Sequence, residues 1–224
     1  AGAGGYYSTK AATSLGSRIG SGLMRALKSL LGSSLIDGST EVGGRALRYR
    51  DLLADLVWID GLTGVRNRRY FDECFPREFR RAWRAQTALS LILMDVDYFR
   101  QYNDSYGHLA GDDCLKTIAQ TLTSSLRRPA DVVFRYDGEE FACLLPDTEV
   151  DGARALAEKM LARMRELAIR HKDSPHHIAT LSMGLATLRP SREQQIADLA
   201  EQALQRAKTL GRNRVEVAEP PLDT

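Results

Sequence analysis

Two carboxylates stand two residues apart, at Asp95 and Asp97, where the apolar run Leu89–Met94 ends. A short buried strand that finishes in Asp-x-Asp delivers carboxylates to the C-terminal edge of a sheet, where ligands bind in open α/β folds. Such oxygens suit a hard divalent cation, Mg2+ above all, which also draws on substrate phosphates. For Asp97, just before Tyr98-Phe99-Arg100, capping of a following helix is an equally available role. More acid follows in Arg135–Phe141, where Asp137-Gly138 between two apolar runs signals a hairpin because both residues tolerate positive φ. Glu139 and Glu140 come next, and in a regular strand only one of them can face a given side. A solvated hairpin tip would look the same, but combined with Asp95 the pair could assemble a two-metal phosphoryl-transfer site. Lys208 and Arg212 close the last helical pattern, where cations also complement a helix dipole.

The elements that must position these groups alternate along the chain. Spacing of Phe71, Phe75 and Phe79 predicts a helix over Asn67–Arg84, and Leu89–Met94 reads as a buried strand. A helix follows over Leu109–Leu126, then strands Val132–Tyr136 and Phe141–Leu145 around the Asp137-Gly138 turn. A long helix over Val150–Ile169, a strand over Ile178–Ala186, a helix over Arg192–Thr209 and a short strand Val215–Val217 complete the pattern. Helices interleaved with a few strands predict an α/β (α+β) sandwich, a mixed sheet covered by helices.

Upstream the texture differs. Residues 1–44 are rich in Gly and Ser, with Leu23, Met24, Leu27, Leu30 and Leu31 at helical spacing, and carry no recognisable chemistry. From Arg45 to Ile59 the pattern is helix-like and reads as a linker into a domain spanning 60–217, followed by a tail at 218–224. With 31 basic against 29 acidic residues, no strong field points to nucleic acid. No apolar stretch approaches bilayer length, which leaves membrane contact only to a region that would precede the chain. Cys74, Cys114 and Cys143 are scattered, with no Cys-x-x-Cys pair, as expected of a reducing cytoplasm. His108 has no second ligand at metal-binding spacing.

Several segments together carry a resemblance. Asp60–Gly64 (Asp-Gly-Leu-Thr-Gly), Asn67–Arg69, Asp95–Phe99, Asn103–Asp112, the hairpin Asp137–Phe141, Ser182–Gly184 and Ala207–Asn213 resemble, in order, the diguanylate cyclase domain. That family is named for its Gly-Gly-Asp(or Glu)-Glu-Phe hairpin and serves bacterial signalling. The resemblance implies a palm-like sheet similar to class III nucleotide cyclases. It also implies condensation of two GTP to cyclic di-GMP and two pyrophosphates between two copies of the domain. By position, Asp95, the Val96 carbonyl, Glu139 and Glu140 would bind two Mg2+ (or Mn2+), with Glu140 alternatively deprotonating the 3′-hydroxyl. Asn103 and Asp112 would read guanine. Arg100, Lys208, Arg212 and backbone near Tyr98, Phe99 and Gly138 would hold the phosphates. Arg128 and Asp131, otherwise a plain loop, match the family's Arg-x-x-Asp site for inhibitory product, with Lys159 as the basic residue contributed by a second domain.

Three positions depart from the family pattern: Asp137, Arg100 and Gln205, the last standing where a Tyr is common, an expected change of packing. Asp137 replaces the first Gly and adds a carboxylate near the phosphates, which at 4 Å could cost about 4 kcal/mol at an effective dielectric near 20. Arg135 or Mg2+ would have to offset it. Arg100 replaces the usual Lys, keeping charge but not geometry. The alternative reading is therefore a weak or inactive domain that serves as a receptor for cyclic di-GMP or GTP.

Overall fold

The computed structural model describes residues 39–42, 45–48, 57–188 and 195–218. Its contacts divide the chain into two units, Ala1–Ile59 and Asp60–Thr224. In the first, strands β1 (Ser39–Val42) and β2 (Arg45–Arg48) form an antiparallel hairpin with Val42 opposite Arg45. This corrects the helix expected from Arg45. The overlooked signal is Gly43-Gly44, a favoured two-residue hairpin connection, flanked by the β-prone Thr40 and Val42. The helical spacing of Leu23–Leu31, the rest of the linker at 49–56 and the tail at 219–224 lie outside the described residues.

The second unit is a six-stranded mixed sheet ordered β3-β5-β6-β4-β7-β8. Its strands are β3 (Arg66–Asn67), β4 (Leu89–Val96), β5 (Val132–Asp137), β6 (Glu140–Pro146), β7 (Leu181–Leu188) and β8 (Val215–Val217). The two outer pairings, β3 with β5 and β7 with β8, are parallel, and the inner ones are antiparallel. Central β4 is buried on both faces, which is why it reads as an unbroken apolar run rather than an alternation. Ile92, Met94 and Val96 pack under α2 (Phe99–Tyr106), α3 (His108–Ser125) and α4 (Val150–Glu166). Leu89, Leu91 and Leu93 pack under α1 (Arg68–Ala85) and α5 (Gln195–Thr209). Asp95 continues this second series, so its carboxylate is directed to the α5 face.

The expected mixed sheet covered by helices is thus what forms, with shifts at element ends. Asn67 is the N-cap of α1, its side chain accepting from the Tyr70 N–H at 3.0 Å. Helix α2 has only eight residues, two of them buried, and so lacks the repeated stripe that makes a helix legible. Helix α4 stops at Glu166, before the left-handed Ala168, and β7 begins at Leu181 rather than Ile178.

Candidate active site

The hairpin between β5 and β6 turns one residue later than expected. Asp137 pairs with Glu140, the register shifts between Arg135 and Asp137, and Gly138 and Glu139 form the turn. Only Gly138, at φ 33°, needs the left-handed conformation, so Asp137 is tolerated without backbone strain. Glu139 therefore sits in the turn itself, while Glu140 opens β6 directly opposite Asp95 on β4. Glu140 belongs to the face of Ala142 and Leu144, the α5 side that Asp95 also occupies.

Helix α5 adds a cation to this carboxylate pair. The Lys208 ammonium lies 2.9 Å from Asp95 Oδ2, both side chains being mostly buried. Burial raises the Asp95 pKa above the ordinary carboxylate range, opposed by Lys208 and reinforced by Glu139 and Asp97. Glu140 is also raised, first by burial, then by Asp95, with Lys208 opposing and Glu201 and Asp137 adding to it. The closeness of α5 depends on Gly184 in β7, where a Cβ would lie 2.1 Å from the Ala200 carbonyl oxygen and 2.2 Å from Leu204 N. Among the described residues no three His, Cys, Asp or Glu side chains form a ready-made metal cage. The donors nevertheless fit Mg2+, which takes one or two carboxylates and completes its shell with water and substrate phosphate. A divalent cation would also offset the burial, and the neighbouring negative charge, that raise both carboxyls.

On the far side of β4 the chain turns sharply at Tyr98, a left-handed residue at φ 58° that precedes α2. Asp97 does not cap that helix. It is 1% exposed, accepting from the hydroxyls of Thr180 and Ser182 and from the Asn213 N–H. The Tyr98 ring supports the Arg212 guanidinium at 4.6 Å, and the buried His171 donates from Nε2 to the Tyr98 carbonyl at 3.1 Å. Phe99 is buried and stacks on Tyr102, while Arg100 is exposed. Asn103 on α2 points its Oδ1 against Gly111 of α3, where it is buried with no hydrogen-bond partner. A Cβ at Gly111 would fall 1.9 Å from that oxygen, so only glycine leaves it room. Asp112 follows directly on α3. A buried amide oxygen left without a donor, with the Asp112 carboxylate one residue beyond Gly111, is an acceptor pair that a base edge rich in N–H groups would satisfy.

Residues 57–214 match the family described as diguanylate cyclase, GGDEF domain. The chain belongs to that family. Its GGDEF domain is 40% identical over 160 residues to diguanylate cyclase DgcP of Pseudomonas aeruginosa, covering 71% of this chain and 24% of that protein. It is 34% identical over 162 residues to diguanylate cyclase DosC of Escherichia coli, covering 72% and 35%. The chain thus spans about a quarter to a third of the length of these curated relatives. The coiled coil and GGDEF domain of DgcB from Caulobacter crescentus, solved with c-di-GMP, superposes at a TM-score of 0.70 with 26% identity, covering 76% and 90%.

The remaining residues expected at the site fall elsewhere in this GGDEF domain. Arg128 and Asp131 stand at the opposite end of β5 from the Gly138 turn. The Arg128 guanidinium donates to the Asp147 carbonyl and the Thr148 hydroxyl, and Asp131 keeps a buried Oδ1 without a partner. Lys159 donates to the Ser125 carbonyl at 2.8 Å, closing the end of α3 within its own domain. Arg135 does not offset Asp137. Its guanidinium donates to Asp60 Oδ1 and to the Gly138 carbonyl at 3.1 and 2.8 Å. Burial pushes the Asp60 carboxyl up, but bonds from Thr63 and Arg135 outweigh it and hold the pKa below its ordinary value. Sequence reasoning overlooked Asp97 as an anchor, His171, Gly111 and Gly184. Asp97 and the two glycines sit inside recognisable motifs, whereas His171 lies outside all of them and carried no local signal.

Proposed function

We propose that residues 60–217 form a diguanylate cyclase, in which two domains each bind one GTP and condense the pair to cyclic di-GMP and two pyrophosphates. The observation that carries this reading is Glu140 facing Asp95 across adjacent strands, with Glu139 in the adjoining turn and Lys208 beside Asp95. Asp95, the Val96 carbonyl, Glu139 and Glu140 would hold Mg2+ or Mn2+, two ions per site. When bound, these ions neutralise charge on the reacting phosphates. Asn103 and Asp112 accept from guanine N1–H and N2–H2, which adenine cannot supply. Lys208, Arg212, Arg100 and the N–H groups of Tyr98, Phe99 and Gly138 hold the β- and γ-phosphates, since phosphoryl transfer depends on positioning and charge. The 3′-oxygen of one GTP attacks the α-phosphorus of the other, and the bond to the β-phosphate oxygen breaks. Where Glu140 does not ligate the metal, its carboxylate takes the 3′-hydroxyl proton instead. A second pass closes the ring.

Product binds Arg128 and Asp131, whose orphan oxygen accepts from guanine. Lys159 of the facing domain joins only by releasing Ser125. Asp137 is exposed, so its repulsion on a phosphate 4 Å away falls toward the aqueous limit of about 1 kcal/mol. That favours turnover over a purely receptor role. A GTP-using domain fits the cytoplasm, where GTP is found; among the described residues no helix is long and apolar enough to cross a membrane. Incubation with GTP and Mg2+ followed by chromatography tests the reading. Cyclic di-GMP should form, and Glu139→Gln should abolish it while the fold persists. Unchanged turnover in a folded Glu139→Gln protein overturns the metal assignment. Product binding without any turnover in the unmodified chain favours the receptor.

A further inference from the structure

The second carboxylate of the Asp-x-Asp pair has its own task. Asp97 is almost wholly buried, and each neighbour offers it a hydrogen. Oδ1 accepts from Ser182 at 2.6 Å, while Oδ2 accepts from Thr180 at 2.6 Å and from the Asn213 N–H at 3.1 Å. The Arg212 Nε lies 4.0 Å from Oδ1. Gly211, Arg212 and Asn213 form the turn after α5, and all three are left-handed, at φ 110°, 63° and 50°. Helices commonly end on one left-handed residue, usually glycine and sometimes asparagine, so Asn213 is tolerated there while Arg212 carries the strain. Such strain persists where the surroundings over-determine it. Here Asp97 holds the Asn213 N–H, and Arg165 grips the Asn213 carbonyl and side-chain oxygens at 2.7 and 2.9 Å.

This turn has a consequence for Arg212. Its guanidinium lies over the Tyr98 ring with Nε toward Asp97, and about a third of the side chain stays open to solvent. Its Nη1 donates at long range to the Tyr98 hydroxyl and the Lys208 carbonyl, at 3.5 and 3.4 Å, so the planar guanidinium is held in one orientation with its Nη2 donors left for a phosphate. We infer that Asp97 is a positioning residue for triphosphate recognition, acting through the Gly211–Asn213 turn and Arg212, an inference that rests on the phosphate role proposed above for Arg212. One Asp-x-Asp thereby manages both cations at the end of α5. Asp95 meets Lys208 where the chemistry occurs, and Asp97 aims Arg212 from behind.

The test is binding of α,β-methylene GTP and of GMP, each with Mg2+, to the full 224-residue chain by calorimetry. Asp97→Asn keeps the shape and can still accept from Asn213 and Thr180 while donating to Ser182, but it removes the charge beside Arg212. It should weaken triphosphate binding at least fivefold and change GMP binding less than twofold. General disruption would weaken both alike. Should Asp97→Asn fail to fold, Ser182→Ala, which frees Oδ1 alone, should show the same selective loss at twofold or more. Arg212→Ala serves as reference. Selective loss there but none in the folded Asp97 or Ser182 variant, or equal loss of both nucleotides, overturns the inference. No loss in Arg212→Ala overturns the phosphate reading itself.

Discussion

Replacing Gly184 by alanine tests whether the seating of α5 governs the site. The added Cβ would lie 2.1 Å from the Ala200 carbonyl oxygen, 2.2 Å from Leu204 N and 2.7 Å from Leu204 Cα. These are backbone atoms of α5, so no side chain can swing aside. Reaching even a 3.0 Å separation from that oxygen requires α5 or β7 to shift by about 0.9 Å. Forcing a methyl into a well-packed core costs about 1–3 kcal/mol. For a chain of this size that lowers Tm by roughly 2–4 °C per kcal/mol, so by about 2–12 °C in all. The same shift pulls Lys208 away from Asp95, now 2.9 Å apart. A displacement near 1 Å in a reacting constellation can cost about 100-fold in rate. Circular dichroism melting and chromatographic assay of cyclic di-GMP measure the two effects on one preparation. Gly61→Ala is the control, because nothing lies within 4 Å of its Cβ position. A Gly184→Ala protein that melts and turns over like the unmodified chain would refute the reasoning.

Other outcomes follow from the same geometry. The Glu140 pKa is raised by burial, Asp95, Glu201 and Asp137 against Lys208, so its ionisation opposes folding, and stability falls as pH climbs from the ordinary glutamate range through the raised value. Glu140→Gln should lose activity yet melt higher near pH 7, with the advantage gone below about pH 4; a lower melting point near pH 7 contradicts this. Gly111→Ala displaces the Asn103 carbonyl and should narrow the preference for GTP over ATP roughly 5–150-fold, equivalent to about 1–3 kcal/mol, in competition binding. An unchanged ratio would exclude Asn103 from base reading. Arg128→Ala should weaken cyclic di-GMP binding and leave the initial rate intact, so that progress curves stay linear for longer. Curves that bend alike despite lost product binding would rule out inhibition through this site.

What could be read in advance follows the range of the forces involved. The run Leu89–Met94 reveals β4 because a strand buried on both faces must be apolar throughout, and its alternation already places Asp95 with Leu89, Leu91 and Leu93. The catalytic assignments came from motif resemblance, since Glu139 and Glu140 alone do not distinguish a metal site from a solvated turn. The turn was misplaced because Asp137-Gly138 is a good hairpin pair, while the bulge before Asp137 arises from pairing with β6. Asp97 was illegible for a different reason. Its partners Thr180, Ser182 and Asn213 lie 83, 85 and 116 residues away, and no local pattern announces such contacts. His171 is the same case, buried against a carbonyl 73 residues upstream.

The bridge made by Arg135 bears on where this domain can be cut. Its guanidinium ties the turn that presents Glu139 to Asp60, which lies ahead of the first strand of the sheet and opens the second unit. A piece started at Arg66 would keep each helix and strand of the second unit, and by the criterion of secondary structure would look whole. It would nevertheless leave Arg135 with a single anchor and release the loop that carries Glu139. The smallest excision that preserves the hairpin's footing therefore begins at Asp60, and fusion junctions belong upstream of that residue rather than between it and β3.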